Sequence, residues 1–308
     1  MITYTIGRNL FGTLTNNSSP SNLSLGDQLI NSADADIINK RHWDFLEASR
    51  YTYTVAGQQY YAFPNYMDDG HIKSIYVTIG TTTYVPKESP SRDHWNYLNE
   101  STNVSSDIPE WYFSGDDRVG FYPVPSTGDG TQPNSNKITM EFELKRKDLS
   151  VDDYTTGTIN SIAQNSRTVT GNATVWTAKM AGKWIMIDDS DSLNTGDGVW
   201  YQIDSVTNAT TLVLKRPYNG EDISSGTATY TIGQTSLLPE DFQILPVWMA
   251  AQIYYTSIQS DPTQAQLYSN LYLNGIKRLE ESFSDRGTSP VIGDQEQQMI
   301  NPNLTIQL

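Results

Sequence analysis

The sequence lacks cysteine and is poor in basic residues. Its 308 residues contain no Cys, and 20 Lys and Arg against 35 Asp and Glu give a formal net charge of −15 at pH 7. Without cysteine the chain has neither a disulfide framework nor a thiolate nucleophile, which leaves its redox compartment open. The acidic balance argues against a groove that wraps nucleic acid, because neutralising phosphates requires Lys and Arg.

Long hydrophobic runs are also missing. The most apolar window, residues 237–258, is interrupted by Glu240, Asp241 and Pro246, so it is unsuited to crossing a bilayer. Residues 1–14 have neither the basic region nor the apolar core of a secretory signal. We therefore expect a soluble protein without a membrane partner and without export by the usual route.

Chemically active residue patterns are sparse. The three histidines, His42, His71 and His94, show none of the spacings typical of metal sites. The acidic loop 188–197 departs from the EF-hand pattern, since Leu193 stands where a ligand belongs and no Glu closes the loop. A solvated hairpin tip is the favoured interpretation of this loop, and cation binding there stays open. Nucleotide-binding and nucleophile-elbow motifs are absent as well, so we expect no cofactor, no metal and no enzymatic activity.

A long amphipathic helix is predicted for residues 24–47. Ser24 is a favourable N-cap, and Asp27 places an acid at the positive end of the helix dipole. Apolar residues recur every three or four positions, which is typical of a helix that buries one face. These residues are Leu25, Leu29, Ile30, Ala33, Ile37 and Ile38.

Extended structure is predicted on both sides of this helix. Residues 1–22 are rich in Thr, Asn and Ser without a sustained period, so an extended N-terminal arm is expected. Residues 51–55 and 59–63 alternate around a turn at Gly57, which predicts a hairpin. Five further strands complete one small antiparallel β unit. They cover residues 72–79, 82–85, 110–113, 119–122 and 138–144.

Residues 154–235 change character, with short β-type runs separated by Gly-containing turns. This pattern is typical of a small β-barrel or sandwich. Because helical patterns resume immediately afterwards, we expect an inserted domain whose two ends lie close together. The candidate strands cover residues 155–162, 167–170, 183–187, 200–206, 211–214 and 228–232.

Two helices are predicted after this domain. The first begins at Pro239 and runs to about residue 257, with a kink expected at Pro246. The second begins at Asp261, where the order Asp-Pro-Thr-Gln supplies an N-cap, a proline at the first position and a capping-box Gln.

The predicted fold class is therefore α+β. It combines a helical bundle core of one N-terminal and two C-terminal helices, a small antiparallel β unit and an inserted β-barrel or sandwich domain. The expected boundaries are 1–22 for the N-terminal arm, 23–153 with 236–286 for the helical core and β unit, 154–235 for the inserted domain, and 287–308 for a C-terminal arm.

Several segments, in this order along the chain, resemble the head-to-tail adaptor (connector) proteins of tailed bacteriophages. They are residues 37–46, 108–113, 118–125, 169–177, 182–185, 200–203 and 237–242. The resemblance implies a virion protein of the neck or tail, assembled in the host cytoplasm. It further implies a ring, usually of twelve subunits, that joins the portal to the tail nozzle and continues the DNA channel. Its expected partners are the portal protein and tail nozzle or fibre proteins, while DNA passes through without specific binding.

Two groups of contact residues are predicted. Helices too few to close a large bundle within one chain gain by packing in a closed cyclic array, so their apolar faces are candidate subunit contacts. These are Leu25, Leu29, Ile37, Trp43, Tyr268, Tyr272, Leu279 and Phe283. The resemblance implies that the C-terminal arm reaches the portal, and its lack of Lys or Arg favours apolar anchors. These are Val291, Ile292, Met299, Ile300, Leu304 and Ile306.

Three alternatives remain open. A tail or fibre protein that recognises host glycan through residues 154–235 requires an exposed aromatic groove, and burial of Trp176, Trp184 and Trp200 would argue against it. A glycan depolymerase requires a paired acid and base, which no segment supplies. Other virion components, such as a nozzle or head-completion protein, share the same assembly chemistry.

Overall fold

Helices precede and follow three β-sheets along the chain. The computed structural model describes residues 1–63, 67–100, 105–115, 118–189, 196–224 and 226–283, with the backbone alone at 68–71. The α-helices in these ranges are α1 (Tyr4–Leu14), α2 (Pro20–Asn39), α3 (Arg92–Glu100), α4 (Leu245–Ser257) and α5 (Pro262–Ser282). None of them is both long and apolar enough to cross a membrane. The structure is thus of the mixed α+β class.

The N-terminal residues do not form the extended arm expected for 1–22. Thr3 caps α1 by accepting a hydrogen bond from the backbone N–H of Ile6. Tyr4, Gly7 and Phe11 follow at a spacing that places them on one face, and all three are buried. This face packs on α2 and α4, so tertiary contacts stabilise a short helix whose glycines and threonines have low helix propensity.

Helix α2 begins earlier and ends earlier than predicted. Ser19, rather than Ser24, is the N-cap, and Pro20 occupies the first helical position. The helix stops at Asn39, and a 3-10 turn at Asp44–Leu46 leads directly into the first strand. Trp43, just before this turn, is fully buried and its indole N–H donates to the Ile37 carbonyl oxygen at 3.0 Å.

Two four-stranded sheets form the β unit. The first has the order β1-β8-β3-β4 and the second β2-β7-β6-β5. The strands are β1 (Glu47–Tyr53), β2 (Tyr60–Ala62), β3 (Met67–Ile79), β4 (Thr82–Tyr84), β5 (Lys87–Glu88), β6 (Trp111–Ser114), β7 (Arg118–Tyr122) and β8 (Lys137–Leu144). Both sheets contribute to one core, in which Tyr61, Val119 and Phe121 of the second meet Ile75, Ile138 and Phe142 of the first.

The predicted β3–β4 hairpin around Gly80 is confirmed, whereas the hairpin around Gly57 is wrong. Strand β1 pairs with β8, and β2 pairs with β7 in the other sheet. The turn at Gly57 does form, with a φ of +76° that favours glycine, but it carries the chain between sheets. Helix α3 was not predicted, because Trp95 is its one buried anchor in a polar segment.

The segment 154–235 forms a curved six-stranded sheet of order β14-β11-β12-β13-β10-β9. Its strands are β9 (Thr158–Ser161), β10 (Thr168–Asn172), β11 (Trp184–Ile187), β12 (Trp200–Asn208), β13 (Thr211–Leu214) and β14 (Tyr230–Gly233). Isolated bridges join Ile159 to Ala228 and Ile162 to Ile223, so the first strand meets the chain that leads to the last. This barrel-like arrangement has a hydrophobic core of its own.

The segment after the barrel enters α4 by a route that differs from the predicted one. Glu240–Phe242 is a 3-10 turn, and α4 starts at Leu245. Pro246 therefore lies within the first turn, where its missing N–H costs no helical hydrogen bond and no kink is required. Asp261 caps α5 as predicted, accepting from the N–H groups of Thr263 and Gln264 at 3.0 and 3.1 Å.

Candidate assembly surfaces

The helices α1, α2, α4 and α5 pack on one another, and α4 lies at the centre of these contacts. It touches α1, α2 and α5. On one side Phe11 of α1 meets Tyr254 edge-to-face, with ring centroids 5.7 Å apart. On the other side Tyr255 stacks on Tyr268 of α5 at 5.8 Å, while its hydroxyl donates to the Leu14 carbonyl at 2.9 Å. The helices therefore form a layer with α1 and α5 on different sides of α4.

Three of the predicted subunit contacts are covered within the single chain. Ile37, Trp43 and Leu279 have no exposed surface within the single chain, where they pack against Leu238, Leu245 and Ile276. Tyr268 is only 8% exposed. The stripe that contains them is amphipathic because it forms the core of this chain, so their surface is not free for a neighbouring copy.

The other four predicted subunit contacts keep part of their surface. They are Leu25, Leu29, Tyr272 and Phe283, and each is half-buried. Leu25 and Leu29 border the α1–α2–α4 core, whereas Tyr272 and Phe283 border the core around Trp43. Their contact with a second copy stays a prediction.

The predicted portal-binding anchors lie outside the described residues. Their segment begins after Phe283, the last residue that the structure describes. The anchors are Val291, Ile292, Met299, Ile300, Leu304 and Ile306. Portal binding by these residues stays a prediction.

The structure describes the acidic loop 188–197 only at its two ends, where its carboxylates accept hydrogen bonds from barrel side chains. Asp188 accepts a hydrogen bond from the Thr229 hydroxyl at 2.6 Å, and Asp197 accepts one from the Tyr201 hydroxyl. Burial and the bond to Asp197 raise the pKa of Tyr201 to about 12. Within the described ranges no group of three His, Asp or Glu side chains is placed to hold a metal ion.

The three barrel tryptophans differ in exposure. Trp176 is 3% exposed, and its indole N–H donates to the Tyr230 hydroxyl at 2.9 Å inside the core. Trp184 and Trp200 are half-buried and stand on the outer face of β11 and β12, since their neighbours Ile185 and Tyr201 point into the core. Burial removes Trp176 from any exposed stacking surface, while Trp184 and Trp200 keep part of theirs.

A buried acid links the helical layer to both ends of the barrel segment. Asp34 on α2 has no exposed surface; it accepts a hydrogen bond from the Ser236 hydroxyl and lies 3.4 Å from Arg146 Nη1. Arg146 also reaches the surface acid Asp148 at 2.6 Å. Burial raises the pKa of the Asp34 carboxyl, and the bonds from Ser236 and Arg146 offset this only in part.

A second link closes the base of the barrel segment. The side-chain oxygen of Gln234 accepts from the N–H groups of Ser150 and Val151 at 3.0 and 3.1 Å, and its amide donates to the Asp148 carbonyl at 2.8 Å. The two ends of the segment therefore lie side by side, as an insertion requires.

Two stretches of the helical layer carry few charges, although the second half of α2 and the end of α5 are charged. Between Phe242 and Ile276 the one charged side chain is Asp261, and between Met1 and Gly26 it is Arg8, in a chain of which 18% is charged. Asp261 is occupied as the α5 cap, and Arg8 pairs with Asp152 at 3.2 Å. Charge depletion of this kind marks the cores of protein interfaces.

Two exposed surfaces of this layer are defined by that depletion. The "hairpin face" comprises the exposed residues of 256–274 at the end of α4 and along α5; the "N-terminal edge" comprises the exposed residues of 6–24 on α1 and the first half of α2. The hairpin face includes Ile258, Leu267 and Leu273, which are 51%, 50% and 58% exposed. Amphipathicity could not locate these surfaces, because they lie opposite the stripes that the helices bury.

Comparison with known families identifies one relationship. The family model of the SU10 adaptor protein matches residues 6–203, well over half of the chain. The matched range covers most of α1, all of α2 and α3, both sheets of the β unit and the first part of the barrel, as far as the start of β12. No curated protein matches the sequence.

Proposed function

The chain belongs to the SU10 adaptor protein family, a family of bacteriophage structural adaptors, and we propose that it forms the ring that joins the portal of the phage head to the tail nozzle. As a phage adaptor it is a virion component that interacts with other head and tail proteins. The family match over residues 6–203 is the observation that carries the proposal. Fibre-type glycan binding is not retained, because the match favours an adaptor.

In the proposed ring, twelve copies surround a channel that continues the DNA path from the portal. The layer of α1, α2, α4 and α5 serves as its helical bundle core, with 154–235 as an inserted domain. The net charge of −15 per copy supports free passage of DNA, because an acidic wall repels phosphates and offers no basic groove. The proposed role of the ring is to hold the portal and the tail nozzle together, and this role requires no catalytic group.

The C-terminal segment 287–308 is the proposed portal-binding arm. It contains Asp294 and Glu296 but no Lys or Arg, so apolar anchors rather than basic side chains carry the contact. Extended segments of alternating apolar and polar residues bind partners by inserting every second side chain. The proposal places the tail nozzle or fibre proteins on the other side of the ring, with assembly in the host cytoplasm and a final position in the neck.

Native mass spectrometry of the full chain, alone and mixed with portal rings of the same phage, tests this function. The expected result is a complex of twelve copies on each portal ring. Substituting Leu304→Asp together with Ile306→Asp should abolish the complex, because two carboxylates would be placed at the apolar contact. The matched control, Thr305→Asp with Gln307→Asp, adds the same charge at alternate positions of the same arm and should leave the complex intact.

Two results would contradict the proposal. If the full chain forms no complex with portal rings at any concentration, its proposed position between portal and tail is refuted. Equal loss of binding in both double variants would leave the adaptor role standing but refute apolar anchoring, since charge alone would then account for the loss.

A further inference from the structure

The hairpin face combines exposed apolar side chains with the absence of charge. All of its exposed positions are uncharged, and Leu273 is 58% exposed in the middle of α5. An open groove between α4 and α5 runs beside it, lined by uncharged residues that include Gln252, Ala265 and Ser269. Ser269 and Leu273 are four residues apart on α5, so the exposed leucine continues the line of the groove.

The chain's own charge points to the occupant of this face. Each copy carries −15, so two copies repel over most of their surfaces. Contact between copies costs the least free energy where neither surface bears a carboxylate, because no like charges then face each other and no ion has to be desolvated. The hairpin face comes close to this condition, since its one carboxylate, Asp261, is half-buried and accepts two backbone hydrogen bonds as the cap of α5.

The N-terminal edge meets the same condition on the other side of α4. Its exposed stripe on α1 consists of Ile6, Asn9 and Thr13, at a spacing that places them on one helix face. Ile6 is 44% exposed and supplies an apolar side chain at the start of this stripe. A chain with two different uncharged surfaces, on separate sides of one helical layer, can join head to tail with further copies.

We propose that the hairpin face of one copy packs against the N-terminal edge of the next. This inference rests on the proposed ring function and specifies its subunit interface. The contact is heterologous, because a hairpin face packed against an identical hairpin face would close a dimer and stop growth of the ring. Leu273 and Ile6 are the apolar side chains that the contact buries.

A charge-insertion experiment tests the surface. Leu273→Asp places a carboxylate in the hairpin face, and Val175→Asp places one at a matched position of the barrel, where Val175 is 60% exposed. Both wild-type residues are exposed, so neither change disturbs the core and the thermal unfolding curves of both variants should match the wild type. Sedimentation velocity over a concentration series, with and without portal rings, measures assembly. We expect the dissociation constant between copies to rise about a hundredfold in Leu273→Asp, since an unpaired carboxylate is desolvated at the contact. Val175→Asp should assemble like the wild type.

Cross-linking tests the pairing of the two surfaces, and the absence of native cysteine makes it free of background. One variant carries Asn9→Cys on the N-terminal edge, and the other carries Asn270→Cys on the hairpin face. A short bismaleimide should join the two variants when they are mixed, in the free protein or on portal rings, and should join neither variant to itself.

The outcomes separate this inference from the proposed function. Self-linking of Asn270→Cys alone, equal assembly of Leu273→Asp and the wild type, or no mixed cross-link in either setting would overturn the interface. Portal binding would remain intact in each of these cases if the adaptor function holds. Conversely, mixed cross-links in a chain that never binds portal would support the interface and refute the portal-joining role.

Discussion

The buried carboxyl of Asp34 provides the sharpest test of how the helical layer holds the barrel. In Asp34→Ala, the Ser236 hydroxyl and the Arg146 guanidinium both lose their buried acceptor. An unsatisfied buried polar group costs about 1–3 kcal/mol. Arg146 keeps Asp148 at 2.6 Å, so the larger penalty of an orphaned buried charge does not apply. With a small cavity added, we expect the free energy of unfolding to fall by about 2–4 kcal/mol.

The conservative variant Asp34→Asn should behave differently. Burial raises the pKa of Asp34 despite its two partners, which means that the ionised form is penalised in the folded state. Asparagine resembles the protonated form and can still accept from the Ser236 hydroxyl. Removing the charge therefore offsets the weaker bond to Arg146, and the expected change at pH 7 is within about 1 kcal/mol.

The pH dependence gives an independent check with a defined sign. Because the pKa of Asp34 is higher in the folded state, the folded protein binds the proton more tightly than the unfolded chain. The stability that comes from this proton is fully present below the unfolded pKa of about 3.9 and is lost as pH rises through the folded value. The difference in unfolding free energy between Asp34→Asn and the wild type should thus move in favour of the variant from pH 4 to pH 7.

Urea denaturation followed by circular dichroism at several pH values measures all three quantities. Asp34→Ala with unchanged stability would show that the link to Ser236 and Arg146 contributes nothing. An Asp34→Asn variant as unstable as Asp34→Ala would refute the claim that burial outweighs the favourable bonds.

Two further perturbations test other parts of the fold. Gly26→Ala on α2 would place a methyl group onto the ring of Phe11, which is fully buried. The overlap costs about 1–3 kcal/mol, whereas alanine gains roughly 1 kcal/mol of helix propensity, so we expect urea denaturation to show a loss of about 1 kcal/mol in unfolding free energy. The control Ser24→Ala, at an exposed position of the same helix, should lose no stability. Burial and the neighbouring Glu88 raise the pKa of Tyr112 to about 12, so Glu88→Gln should lower that pKa in an ultraviolet absorbance titration, and an unchanged titration curve would show that burial alone sets it.

The barrel could be predicted from sequence because its signals are local. Each of its six strands lies within a predicted range or overlaps one, with glycine-containing turns between them. A strand such as β11 buries alternate residues, Ile185 and Ile187, and this period of two is visible in a single sequence. The cap of α5 at Asp261 is local in the same sense, since the residues that make it are adjacent.

The predictions for the Gly57 hairpin and the N-terminal arm are wrong because contacts with distant segments determine the structure there. The strands on either side of Gly57 pair with residues 56 to 96 positions further along the chain, in β7 and β8, so a favourable local turn does not make them a pair. Helix α1 buries a face of Tyr4, Gly7 and Phe11, but two glycines and two threonines among its 11 residues lower its helix propensity, and α4, on which it packs, lies near the other end of the chain. Such elements are specified by contacts that a pattern within one segment does not contain.

The predicted subunit contacts show a related limit of sequence patterns. An apolar stripe identifies the face that a helix buries, but not whether its own chain or another copy covers that face. Ile37, Trp43 and Leu279 belong to the first kind, since each is fully covered within one chain. The residues proposed to contact a neighbouring copy, such as Leu273, lie on the exposed face of the helix, and missing charge rather than hydrophobic periodicity distinguishes them. In a chain with a net charge of −15, an exposed stretch of helix without charge is therefore a second signal of a contact surface, one that hydrophobic periodicity does not report.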